Sequence, residues 1–310
     1  MHILISPGEY LLGPVGSRFI NVSDRFHRLL TYLQLTPSQR DGGFTKYKSV
    51  IACLNAGYRG TSSPTDHARL VGSWGKNTAI RPPRDVDLLF ELPWDVYSRF
   101  NKRTGNKQTQ LLQEVKSLLL KTFPRTDVRG DGQVVCVPFQ SYAVEVVPAF
   151  RLPAGDYRIC DTKEGGRYKT TDSDAEIHHL DASDRASNGN TRDLIRMMKR
   201  WQAFCGVPLK SFWIELLAVE FLSTWDYRGK STVYYDWMVR DFFGYLLRRA
   251  FFVMWVPGTI EIVSIGDSWR SRAQTAHDRA VKACEYENNM CPYLAGGEWQ
   301  KIFDSDIPVG

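Results

Sequence analysis

The chain has no apolar run near the roughly 20 residues that a bilayer-spanning helix requires. No membrane helix is therefore expected in its 310 residues. It has no Cys-x-x-Cys pair. Its six cysteines stand at 53, 136, 160, 205, 284 and 291, and the closest two, Cys284 and Cys291, have no histidine beside them. Structural zinc needs tighter pairs than these, so the cysteines read as buried free thiols. No internal repeat or low-complexity tract is present, which excludes a solenoid or a fibrous array. A strongly basic tract is missing too. Forty basic residues against 34 acidic ones leave a net charge of +6. That balance is compatible with a polyanionic ligand such as a nucleoside triphosphate, and it does not indicate a dedicated nucleic-acid surface. The opening MHILISPGEYLLGP lacks the basic start and small-residue cleavage site of a secretory leader, so a cytoplasmic protein is expected.

What is present belongs to a folded protein with a large core. Hydrophobic residues make up 43% of the chain and aromatic ones 13%, with nine Trp and sixteen Phe, which leaves little room for long disorder. Residues 22–60 read as two helices, the first capped by Ser23 or Asp24 and the second starting at Pro37 and ending near Gly57. ARLVGS and RDVDLLFEL read as strands, QTQLLQEVKSLLLKTF as an amphipathic helix, and GQVVCVPF with YAVEVVPAF as a hairpin. A polar segment is expected up to residue 190. Four helices follow, in TRDLIRMMKRWQAFCG, LKSFWIELLAVEFLSTW, YDWMVRDFFGYLLRRAFF and SWRSRAQTAHDRAVKACEYEN. Thr191 is the expected cap of the first of these and Gly206 its stop.

The chemistry concentrates in RLVGSWGKNTAIRPPRDVDLLFEL, residues 69–92. Side chains alternate faces along a strand, so Asp85 and Asp87 point the same way. Two carboxylates that close repel each other, and burial raises the cost. A divalent cation removes the conflict, and Mg²⁺ favours a few carboxylates together with phosphate oxygens and water. Paired ions of this kind serve in-line phosphoryl and nucleotidyl transfer. Such a site calls for a third acid on a neighbouring strand, and Glu145, set among Val144, Val146 and Val147, supplies one. Gly72–Ser73 adds a turn whose backbone can approach phosphate closely, with a hydroxyl beside it. Taken singly, Asp-x-Asp fits a solvent-facing strand edge, and Glu145 fits a residue facing water or pairing with an arginine. Only the joint pattern specifies the site. His178 and His179 have no partner at ligand spacing and are not read as a metal site.

Gly72-Ser73, Asp85-x-Asp87 and VEVVPAF together resemble the nucleotidyltransferase core of the DNA polymerase β superfamily. Within it they are most similar to the bacterial cGAS/DncV-like nucleotidyltransferases, the CD-NTases, with an overall cast closest to the E-type clade. Thr78 matches a Thr that often follows the Gly-Ser turn. YKTTDSDAEIHHL resembles the W/Y-x-x-T-x-P segment of these enzymes, with Ser173 where Pro is usual. RDLIRMMKRWQ with LKSFWIELL resembles their triphosphate-binding helix pair, and the stretch from SIGDSW to EWQKIF resembles their C-terminal helix and its ending. The resemblance implies an α+β, bilobed fold. A polymerase β-like core with a mixed sheet would occupy residues 1–165, including the N-terminal helices. An OAS-like helical lobe would occupy 166–310, with the active site in the cleft between.

The resemblance further implies synthesis of a cyclic di- or trinucleotide second messenger from nucleoside triphosphates, for anti-phage (CBASS) signalling through a downstream effector. Asp85, Asp87 and Glu145 would hold two Mg²⁺, with Mn²⁺ able to substitute, and Glu145 would lie nearest the attacking hydroxyl. Gly72, Ser73, Lys199 and Ser211 would contact the triphosphate. Arg196 and Arg200 rival Lys199, and Ser211 also reads as a helix cap. Tyr168 is the candidate for stacking on a base, against a plain place in the strand core. The ending DIPVG resembles ends that some family members have conjugated to other proteins. The alternatives are a non-cyclising nucleotidyltransferase, which tails nucleotides or modifies small molecules, and an inactive nucleotide- or RNA-sensing scaffold. An inactive scaffold predicts a lost acid, whereas all three acids stand in place.

Overall fold

The computed structural model describes residues 14–310. The leader reading of the opening residues lies outside them. Contacts divide the chain into two units. The first comprises Leu35–His179 and Val256–Glu261; the second comprises residues 14–34, Leu180–Trp255 and Ile262–Gly310. The division thus differs from a single cut near 165. The N-terminal helix α1 (Pro14–Leu33) belongs with the helical unit, because its apolar stripe of Val22, Phe26, Leu29, Leu30 and Leu33 is buried. That stripe runs through Ser23, which is a mid-helix residue and not a cap. Its hydroxyl meets that of Thr232 at 2.5 Å.

The first unit is built on a mixed sheet. Helix α2 (Pro37–Arg59) opens it, and its cap is Thr36, one residue earlier than expected, in a reciprocal capping box with Gln39. Then come β1 (Ala68–Leu70), the one-turn helix α3 (Gly72–Gly75), β2 (Asp85–Glu91), α4 (Trp94–Asn101) and α5 (Lys107–Thr122). Strands β3 (Arg129–Asp131), β4 (Val134–Pro138), β5 (Ala143–Arg151), β6 (Tyr157–Asp161) and β7 (Arg167–Thr171) complete the sheet. Its order is β1-β2-β5-β4-β3, with β6 on the distal half of β5 and β7 on β6. Only β2 and β5 are parallel; the other pairs are antiparallel. The expected hairpin is β4–β5.

Alternation sorts the two faces. Val86, Leu88 and Phe90 of β2, Val144, Val146 and Phe150 of β5, and Val135 and Val137 of β4 point to one side. There they pack with Val50, Ile51 and Leu54 of α2 and Leu111, Leu112, Val115 and Leu119 of α5. The other face holds a smaller apolar group of Leu89, Ala149, Tyr157 and Ile159. The polar segment expected up to residue 190 contains a helix, α6 (Ser173–Ala186). Asp172 starts it, accepting the Ala175 N–H at 2.8 Å.

The second unit is mostly helical. It contains α1, α7 (Asn190–Phe204), α8 (Ser211–Thr224), α9 (Tyr235–Leu247), α10 (Arg270–Asn288) and α11 (Pro292–Phe303), with a short hairpin of β8 (Val253–Trp255) and β9 (Ile262–Ser264). Gly189, not Thr191, occupies the cap of α7. Thr191 is fully buried, bonded to the hydroxyls of Ser183 and Ser187. Trp201, Trp269 and Trp299 are fully buried and centre the core, with Trp201 against Phe243 and Trp299 against Phe26 at ring separations of 4.9 and 5.2 Å. The C-terminal residues pack here too. The buried Arg25 donates to the carbonyls of Pro292, Pro308 and Val309 and pairs with Glu287.

Candidate active site

The three acids share the sheet face opposite α2 and α5. Asp85 and Asp87 are separated by the buried Val86 on β2, and the parallel register sets Asp87 directly against Glu145 of β5. Neighbouring strands lie about 4.8 Å apart, so this register gathers three carboxylates at adjacent backbone positions. The burial pattern follows: Asp85 is exposed, while Asp87, between Val86 and Leu88, and Glu145, between Val144 and Val146, are half-buried beside fully buried neighbours.

Gly72 brings the turn onto them. The residue sits at φ +57°, a left-handed conformation that glycine adopts without strain. A Cβ at this position would overlap the Asp87 carboxylate, so glycine is required on two counts. The Ser73 backbone N–H donates to the Asp87 carboxylate, and the Val71 N–H donates to the Asp87 carbonyl at 3.0 Å. Main-chain bonds close the turn: Lys76 N–H to the Gly72 carbonyl at 3.0 Å and Thr78 N–H to the Ser73 carbonyl at 2.8 Å. Trp74 anchors it from below, its buried ring edge-on to Phe44 and Tyr142. Thr78 is fully buried.

The electrostatics are those of crowded carboxylates. Burial, then Glu145 and then Asp85, push the Asp87 carboxyl up to about 7, against weaker opposing pulls from the Ser73 N–H and Lys76. Burial and Asp85 push Glu145 in the same direction. Protonation at neutral pH is what such a group does when no cation neutralises it.

Two residues at this face were not singled out in the sequence. Cys136 of β4 lies opposite Glu145 in the β4–β5 register, on the acids' side. Its thiol is pushed up by burial, Glu145 and Asp85. Lys76, in the stretch between the Gly-Ser turn and β2, is 4% exposed and pairs with Glu176 at 2.6 Å. A lysine two residues before Thr78 carried no sequence signal of burial.

The remaining sequence candidates stand elsewhere. Tyr168 of β7 pairs with Cys160 of β6, which the alternation places on the face opposite the acids. Its ring packs against Tyr97 and Phe150 at 5.2 and 6.5 Å, contacts that favour a place in the strand core. Lys199 and Ser211 belong to the helical unit. Lys199 is buried and pairs with Glu215 at 2.7 Å. Its rivals are also paired, Arg196 with Asp193 and Arg200 with Asp304 and Asp306. The cap of α8 is Lys210, and Ser211, one residue inside, donates its hydroxyl to Gln202 at 3.0 Å.

A mixed sheet with two acids on one strand, a third directly across on a parallel neighbour, and a Gly-Ser turn against them defines a polymerase β-type nucleotidyltransferase fold. The domain model of the Second Messenger Oligonucleotide or Dinucleotide Synthetase (SMODS) family matches residues 20–183, more than half of the chain. The chain belongs to that family, and so to the bacterial CD-NTases. A cyclic AMP-AMP-AMP synthase of an Acinetobacter strain is 25% identical over 182 residues, 57% of this chain and 52% of that protein. The match therefore spans about half of that relative's length. Among solved structures, CdnC of Escherichia coli MS115-1 in complex with a HORMA protein superposes with a TM-score of 0.65. It is 20% identical, over 92% of this chain and 98% of that one. CdnG of Bradyrhizobium diazoefficiens with GTP gives 0.65 at 12% identity, over 92% and 96%. Likeness at these identities shows the fold and selects no clade. Among the described residues no helix is long and apolar enough to cross a membrane.

Proposed function

We propose that this chain joins nucleoside triphosphates and closes the product into a cyclic oligonucleotide, a second messenger for an effector in anti-phage defence. The observation that carries the reading is the Asp85–Asp87–Glu145 face with the Gly72–Ser73 turn bonded to Asp87. An acceptor ribose hydroxyl attacks the donor's α-phosphorus, the new P–O bond forms, and the bond to pyrophosphate breaks. The linear product rebinds reversed, and the same acids serve closure of the ring. Catalysis of this kind rests on positioning and charge neutralisation.

The side chains present fit divalent cations. Among the described residues no three ligating side chains converge into a preformed ion site as they stand. The three backbone positions are nevertheless adjacent, and the donors are all hard carboxylate oxygens, which suits Mg²⁺ or Mn²⁺. Burial and the neighbouring carboxylates push the Asp87 carboxyl up, and positive charge bound at that spot would oppose the push. Asp85, Asp87 and Glu145 would hold two ions, which when bound neutralise phosphate charge and acidify the attacking hydroxyl. Glu145 is the acid proposed to lie nearest that hydroxyl. Gly72 and Ser73 orient the donor phosphates.

Lys199 and Ser211 are carried forward as triphosphate contacts on the family resemblance alone. Cytoplasmic residence follows from the substrates, and is supported by six cysteines that are all free thiols.

The test is incubation with labelled ATP, GTP, CTP and UTP and Mg²⁺ or Mn²⁺, followed by phosphatase. A phosphatase-resistant product is expected. A linear product that loses its terminal phosphates to phosphatase, and shifts in mobility accordingly, supports a non-cyclising transferase instead, and no product with any nucleotide mixture counts against catalysis.

A further inference from the structure

The turn that meets Asp87 is bracketed by two ion pairs, and both run to the first turn of α6. On the strand before it, Arg69 stands on the acids' side of β1, pairs with Asp174 and lies over the Tyr157 ring at 5.6 Å. On the turn itself, Lys76 pairs with Glu176 at 2.6 Å, its side chain 5% exposed. α6 is fixed in turn. Asp172 caps it, and Gly258, at φ +73°, packs so closely on Asp172 and Ala175 that a Cβ there would overlap both.

A buried ammonium is expensive to maintain, and an apolar residue of similar length fills the same space at less cost. Its presence here calls for a use that an apolar residue cannot serve. Lys76 is tied at both ends: its backbone N–H closes the turn on the Gly72 carbonyl, and its side chain is tied to α6. The positive charge also lies near enough to act on Asp87.

We propose that Asp174 and Glu176 of α6 form a brace that holds the Gly72–Ser73 turn in register with the acids, with Lys76 as its principal positioning residue. The inference rests on the nucleotidyltransferase reading for what the turn orients, and on the fold alone for the brace itself. It also gives a role to the DSDAE segment, whose acids belong to no catalytic step.

The experiment compares the wild type with Lys76→Arg, Lys76→Met and the double variant Lys76→Met/Glu176→Gln. The double variant removes both charges of the Lys76–Glu176 pair together, so it keeps the test sound where Lys76→Met alone fails to fold. Two readouts are taken: amide exchange of residues 72–78, and steady-state kinetics with ATP and Mg²⁺. In the double variant, turn amides are expected to exchange about tenfold faster, with kcat down about 30-fold and KM for ATP moved less than about threefold, since a misplaced turn harms alignment more than binding. Lys76→Arg is expected to restore most of both. Exchange within about twofold of wild type in the folded double variant overturns the brace. So does unchanged kcat. If the wild type makes no product with any nucleotide, the functional reading fails, and the exchange readout decides the brace by itself.

Discussion

Replacing Asp87 by Asn should make the protein more stable while destroying its activity, and the gain should depend on pH. The Asp87 carboxyl sits at about 7 in the fold against an ordinary 3.8. Between those values the unfolded chain binds fewer protons than the folded one, so stability falls as pH rises and levels off above about 7. At about 1.4 kcal/mol per tenfold change, holding this group ionised costs on the order of 4 kcal/mol at pH 8 and about 1 kcal/mol at pH 4.5. Asparagine is nearly the same shape, carries no charge, and keeps an oxygen to accept the Ser73 N–H. Asp87→Asn in a metal chelator should therefore gain several kcal/mol at pH 8 and about 1 kcal/mol or less at pH 4.5. Amide exchange read on peptides covering β2 and β5 isolates this unit from the helical one. Adding Mg²⁺ should then stabilise the wild type at pH 8 through preferential binding to the folded state, and should leave Asp87→Asn nearly unmoved. A variant no more stable at pH 8 than at pH 4.5, relative to wild type, would refute carboxylate crowding as the property of this face. A variant that responds to Mg²⁺ as the wild type does would refute the ligand assignment.

Four further outcomes are expected. Asp85→Ala with Asp87→Ala should abolish product formation with circular dichroism unchanged; retained activity defeats the site. Gly72→Ala should lower stability by about 1–2 kcal/mol through strain at positive φ, and should cut turnover about 100-fold by displacing the turn, measured by denaturation and initial rates. Tyr168→Phe removes a buried hydroxyl that has no hydrogen-bond partner among the described residues, so it should be neutral or stabilising by about 1 kcal/mol, with KM for every nucleotide unchanged; a raised KM would restore Tyr168 to the nucleotide site. Lys199→Met removes the ammonium that pairs with the buried Glu215 and should lower stability, with part of the loss regained in Lys199→Met/Glu215→Met. If KM for ATP in that double variant stays at the wild-type value, Lys199 is a structural ion pair and not a triphosphate contact.

Why some of this was readable and some was not comes down to periodicity and register. Asp85 and Asp87 could be paired from the sequence because strand alternation is local and has a period of two. Glu145 stood out because an acid among buried valines breaks that pattern. The helices α5, α7, α8, α9 and α10 were visible through their apolar spacing. Ser23 misled because α1 already begins at Pro14, so a residue type favoured at caps sits inside the helix. The division of the chain misled for a related reason: α1 is short of nothing as a local helix, and only its buried stripe shows which unit it serves.

Tyr168 is the more instructive miss. A one-residue change of register moves a whole strand to the opposite face. The face of β7 is inherited through two successive pairings, Ala149 with Ile159 and then Ile159 with Lys169. Those pairings put Lys169 on the acids' side and Tyr168 away from it. No motif within YKTT encodes that count. The same holds for Cys136, which faces Glu145 only because of how the β4–β5 hairpin closes. The residues that bear charge at the acids' face were thus legible where one strand decided the matter. Where pairing between strands or a contact between distant elements decided it, as for Tyr168, Cys136 and the Lys76–Glu176 contact, the fold had to be seen. For that reason the brace, and not the acids, is the part of the site that the structure adds.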